Sequence, residues 1–131
     1  MTKLNCAVAI FLGLSLLMLA YGIDIILRHG ADPAWPGHAR YHVTLSGLHM
    51  VTFSTVLAVA AVGGLRKRRR SAWIMLAIAS TLGCASWPLA RLLAGDPPPV
   101  SVQLHLGIAL VAGLVGLALS WKDCFGHDSP A

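Results

Sequence analysis

Residues 41–93 read YHVTLSGLHMVTFSTVLAVAAVGGL, then RKRRR at 66–70, then SAWIMLAIASTLGCASWPLARLL. Two apolar stretches of 25 and 23 residues thus flank five consecutive cations. At about 1.5 Å per residue, either stretch crosses the roughly 30 Å of bilayer hydrocarbon as an α-helix. A five-residue connection forces the two helices to run antiparallel. A short basic loop between spans is an orientation signal, and it favours anionic lipid headgroups.

The remainder of the chain extends this hairpin in both directions. Residues 4–27 form an apolar run interrupted only by Asp24. It is too long for the roughly 7–15-residue core of a signal peptide, so it reads as an uncleaved helix. Residues 28–40, RHGADPAWPGHAR, contain Pro33, Pro36, Gly30 and Gly37 and form a loop. Residues 102–121 form a last apolar helix, preceded by the stiff stop Gly95-Asp96-Pro97-Pro98-Pro99 and followed by the polar tail KDCFGHDSPA. The expected fold is all-α: a single domain, residues 1–131, built as an integral membrane antiparallel four-helix bundle with helices at about 4–27, 41–65, 71–93 and 102–121. Pro88 is expected to kink the third helix.

Composition agrees with this reading. Hydrophobic residues make up 56% of the 131, charged residues only 11%, and the mean hydropathy is +0.72. A soluble domain of this size cannot hide that much apolar surface. The net charge of +5 comes largely from the single run at 66–70, which argues for a membrane surface and against nucleic acid. Cys6, Cys84 and Cys124 form no CxxC pair, which argues against thiol-redox chemistry. Lys3, the basic run and Lys122 put seven cations on one side, against Arg28, Arg40 and Arg91 on the other. With four spans, the positive-inside rule places both ends of the chain in the cytoplasm. The expected location is a bacterial inner (plasma) membrane, with the lipid bilayer as the first partner. On the last helix, Ala109-xxx-Gly113 and Ala112-xxx-Gly116 are small-xxx-small spacings that serve either bundle packing or a homodimer seam.

Ionisable residues inside a membrane are costly, and here they gather at one end. Asp24, the group His38, Arg40, His42 and His49, then Arg91 and His105 all fall in the outer third of the expected bundle. At ~100° per residue, His38 and His49 lie within about 40° of His42 around the helix, so three imidazoles share a face. That face is expected to point inward. Asp24 needs a partner, which Arg91, Arg28 or a protonated histidine could supply. The structural alternatives are an Asp24–Arg91 pair that fixes helix register, and a His105 that only hydrogen-bonds its neighbour. Thr44, Thr52, Ser54 and Thr55 are expected to bond their own backbone. Trp35, Tyr41, Trp73 and Trp121 read as interfacial anchors.

The segment Trp35-Pro36-Gly37-His38-Ala39-Arg40-Tyr41-His42 resembles a W-P-x-H-A-R-x-H signature found in small, four-helix, DoxX-like membrane proteins of bacteria and fungi. The resemblance implies the four-span layout. It implies no activity, because none is firmly assigned to that family. The residues themselves leave several chemistries open. A pocket built from His38, Arg40, Trp87, Arg91 and His105 could bind a lipophilic molecule. His38, His42 and His49 are candidate metal ligands. His49 with His105 could ligate a haem, although no further haem signature is present. Asp24, His42 and His49 could act as acid and base in an isomerisation or cyclisation of a lipophilic substrate. A purely structural or accessory subunit is the remaining reading.

Overall fold

The computed structural model describes residues 2–94 and 100–126, apart from the side chains at 84, 87, 88, 90, 91, 94 and 100–102. It contains four helices: α1 (Lys3–Ile25), α2 (Gly37–Val59), α3 (Arg70–Ala94) and α4 (Val100–Phe125), with no strand among the described residues. Three helical segments are long and apolar enough to cross a membrane: Lys3–Gly30, Gly37–Lys67 and Gln103–Phe125, of 28, 31 and 23 residues. α3 has 25 residues.

The helix ends follow from local chemistry. The Thr2 hydroxyl accepts from the Asn5 amide at 3.2 Å and caps α1. α1 runs on past the expected residue 27 as a π-helical turn, Ile26–Gly30, closed by the Ala31 amide donating to Ile26 at 3.1 Å. The Asp32 carboxylate then accepts from the Ala34 amide at 2.9 Å, which turns the chain before Pro36. α2 starts at Gly37, four residues before the expected Tyr41, because Pro36 suits the position ahead of a helix and nothing up to Tyr41 breaks one.

The far end of α2 widens into a π-helical turn (Ala60–Gly64) and tightens into a 3-10 turn (Leu65–Lys67). The reversal itself falls on Arg68, whose φ of 58° is left-handed. Arg70 already belongs to α3, so the basic run is a tight turn and not an open loop. α4 also outruns its expected end at 121. Cys124 is buried and the Phe125 ring stacks on Trp121 at 4.4 Å, so the start of the polar tail packs as helix.

α1 lies between α2 and α4, while α3 packs against α4 and against the Ala60–Gly64 base of α2. α1 and α2 approach closely. A Cβ on Gly22 would sit 2.8 Å from the Gly47 carbonyl oxygen, and one on Gly47 would sit 2.7 Å from that of Gly22. About two turns further on, Ser15 and Ser54 each donate to the other's carbonyl, at 2.8 and 2.9 Å. Gly113 faces Ser80 of α3 and Gly116 faces the Phe11 ring of α1, so these two glycines serve packing within the chain.

The buried core is uneven. Leu4, Val8, Phe11, Leu65, Leu76 and Cys124 are buried and cluster near the basic turn. Here the Trp73 indole donates to the Leu117 carbonyl at 3.0 Å, and the Arg70 guanidinium to that of Cys124 at 3.2 Å. Many large apolar side chains point outward along every helix, with Leu92 and Leu93 more than 80% exposed. Such a surface suits lipid far better than water.

Candidate functional site

All four helices contribute to a cavity of about 130 Å³ in the half of the molecule away from the basic turn. Its walls are mostly apolar, with Leu14, Met18, Met50 and Phe53 prominent among them, and Tyr21, Ser80 and His105 bring the polar groups. The space exists because α3 and α4 present the small residues Ala79, Ser80, Gly83 and Ala109 opposite the long Met50 and Phe53 of α2. A Cβ on Gly83 would just touch the Phe53 ring at 3.8 Å, so a larger side chain there would enter the void.

Volume decides what such a space accepts. An apolar cavity of ~150 Å³ holds a benzene ring, whereas sites for drug-sized ligands run from about 300 Å³ upward. A single ring or a stretch of alkyl chain fits. A haem does not, and this weighs against the His49–His105 ligation considered above.

Of the candidate residues with described side chains, His105 is the one that lines this cavity. The expected inward face of α2 is instead turned outward: His38, His42 and His49 are all exposed. α2 addresses its neighbours through Gly47, Ser54 and Leu57, and at ~100° per residue that face is centred about 110° around the helix from His42. Close backbone approach at Gly22 and Gly47 fixed the rotation of α2, and the imidazoles followed.

His38 and His42 do meet, one turn apart, with Nε2 atoms 3.1 Å apart and rings edge to face. Tyr41 sets its ring against His42 with centroids at 5.4 Å. His49 is not part of this pair. Groups of three or more His, Cys, Asp or Glu side chains able to hold a metal ion are absent among the described residues. Asp24 is exposed and pairs with Arg28 at 2.6 Å in an i,i+4 contact. Exposed pairs of this kind contribute ~0.3–0.5 kcal/mol, and a contact within one helix does not fix register between helices. Arg40 is half-buried, and its Nε has no hydrogen-bond acceptor among the described residues. Arg91 and Trp87 fall outside the described side chains.

Sequence reasoning missed Tyr21, Met50, Phe53 and Ser80 as cavity residues. A helical wheel shows them only as apolar or small positions, and their convergence depends on tertiary packing. Ser15 did leave a signal, since a lone hydroxyl within residues 4–20 of an apolar helix needs a partner. Comparison of the chain with family models, curated proteins and solved structures finds no match. The resemblance at residues 35–42 therefore rests on those eight residues.

Proposed function

We propose that this is a four-span membrane protein, a bundle with antiparallel neighbours and with both ends of the chain on the cytoplasmic side of a bacterial inner membrane. In this reading its central cavity receives the ring or alkyl portion of a lipophilic molecule. The cavity between all four helices, apolar apart from Tyr21, Ser80 and His105, is the observation that supports this most directly. A few placed polar groups in an apolar pocket orient a ligand without dominating its affinity. The DoxX-like resemblance is compatible with such a protein and adds no activity to it. The bilayer is the surrounding partner, the basic turn meets anionic headgroups and not nucleic acid, and a homodimer would need a surface other than that of Gly113 and Gly116.

The acid–base alternative now centres on His105, which borders the cavity, and not on Asp24, His42 or His49. The metal alternative retains His38 and His42, whose 3.1 Å Nε2 separation suits two ligands of one ion but supplies only half a tetrahedral site.

Filling the void tests the proposal. The Gly83→Leu variant should purify folded and lose a lipophile that the parent retains on organic extraction, as read by mass spectrometry. His49→Leu, outside the cavity, should retain it. Equal retention by the parent and Gly83→Leu would exclude the cavity as the binding place.

A further inference from the structure

A second void lies at the loop end of α2, apart from the central cavity. It measures about 320 Å³ and is bordered by Gly30, Gly37, Arg40, Thr44, Leu45 and Leu48, with Tyr41 at its rim. We propose that this groove binds a phosphate-bearing amphiphile, with the anionic head on Arg40 and the chain descending along α2. The inference is independent of what occupies the central cavity.

The charge argument starts at Arg40. Its Nε is buried yet has no acceptor among the described residues, which is unfavourable for a guanidinium. Asp24 pairs with Arg28 at 2.6 Å and Asp32 accepts from the Ala34 amide at 2.9 Å, and neither carboxylate bonds the Arg40 Nε. Among the described residues none supplies an acceptor for the Arg40 Nε, and a guanidinium is matched best by a phosphate or carboxylate, which a ligand would bring.

Two hydroxyls extend the polar end. Thr52 and Thr55 donate to the carbonyls one turn behind them, at 3.0 Å each. Thr44 makes no such bond among the described residues. It faces Gly30, where a Cβ would collide with its hydroxyl, so the glycine keeps this part of the groove open. Tyr41, an exposed residue, also borders the groove. A phosphate has enough oxygens to accept from a guanidinium, a threonine and a tyrosine together.

The other end of the groove is apolar. Leu45 and Leu48 follow Arg40 along α2, and at 1.5 Å per residue Leu48 lies roughly 12 Å further along the helix. Gly37–Lys67 is long and apolar enough to cross a membrane, so this axis would run from headgroup level into hydrocarbon. Cation and hydroxyls above leucines match the layout of a phospholipid or a polyprenyl phosphate. A free phosphate would use the upper half alone.

Native mass spectrometry of the full chain in neutral detergent tests this with three probes: dioctanoyl phosphatidic acid, dioctanoyl glycerol and inorganic phosphate. Phosphatidic acid should bind at least about tenfold more tightly than dioctanoyl glycerol, and Arg40→Gln should remove that difference. Arg28→Gln, which removes an exposed cation at the same end, should leave it intact. Leu45→Trp, which fills the groove without altering charge, should also lower phosphatidic acid binding, and it serves if Arg40→Gln fails to fold. Equal binding of the two lipids overturns the proposal, as does equal loss in the two arginine variants or full binding by Leu45→Trp. Inorganic phosphate binding as tightly as phosphatidic acid would overturn the lipid assignment in favour of a free anion.

Discussion

Ser15 and Ser54 show how much two small residues can settle. Each hydroxyl donates to the other residue's carbonyl, and the two hydroxyl oxygens lie 3.1 Å apart, so both hydroxyls are engaged at a buried position. Interhelical hydrogen bonds inside membranes contribute about 0.6 kcal/mol on average, and up to roughly 1.7 kcal/mol. Ser54→Ala should therefore lower stability in detergent by about 1 kcal/mol, read from the midpoint of a denaturant titration. A double-mutant cycle with Ser15→Ala should show coupling near 0.6 kcal/mol. Additive single losses would mean the two hydroxyls act separately. The expected bonding of hydroxyls to their own backbone held at Thr52 and Thr55 and failed at Thr44 and Ser54. Spacing within one helix shows the carbonyl a turn behind a residue, but not a partner 39 positions earlier.

Among the elements, α2 carries the clearest contrast. Its sequence places His38, His42 and His49 on one side, and that grouping was legible from periodicity alone. Which side faces inward was not. An exposed imidazole row looks expensive in lipid, yet the choice fell to Gly22 and Gly47, whose missing side chains let two backbones meet. Close packing over the length of a helix outweighs the placement of three polar rings, two of which also satisfy one another. His49 is exposed, beside the exposed Leu48, with no hydrogen-bond partner on α2. His49→Leu should therefore leave the thermal midpoint unchanged or raise it by a few degrees, because a polar ring facing hydrocarbon is removed. Gly47→Val should act oppositely: its new methyls would collide with Ile26, and overpacking of this kind costs about 1–3 kcal/mol. Thermal melts of both variants in one detergent check the pair. A destabilised His49→Leu would show that the ring packs against something beyond this chain.

At the level of the whole molecule, the sequence was most informative about class and least about the site. Apolar runs, turn residues and the basic cluster fixed the number of helices and their rough limits, since each run reports its own solvent. The cavity was hidden because it is a difference between neighbours: Gly83 and Ala79 of α3 fall opposite Phe53 of α2, residues brought together only by packing. Orientation is a whole-molecule property, set by the balance of cations on the two faces. A periplasmic reporter such as alkaline phosphatase fused after Pro99 should be active, and one inserted between Arg68 and Arg69 should be silent. The reverse pattern would turn the molecule over and place both voids at the cytoplasmic face.

The uneven core bears on how such a molecule could change over generations. Leu4, Phe11, Leu65, Leu76 and Cys124 hold one end together, while both voids sit toward the other. Substitutions in the Arg40 groove fall outside that cluster, whereas Leu57, Leu14, Met18 and Phe53 belong both to the core and to the cavity wall. Stability and specificity are therefore inherited through shared positions at the central cavity and through separate ones at the Arg40 groove. Such a scaffold can acquire a new occupant more freely by replacements at Leu45 or Leu48 than at Phe53 or Leu57, where a change in the wall is also a change in the foundation.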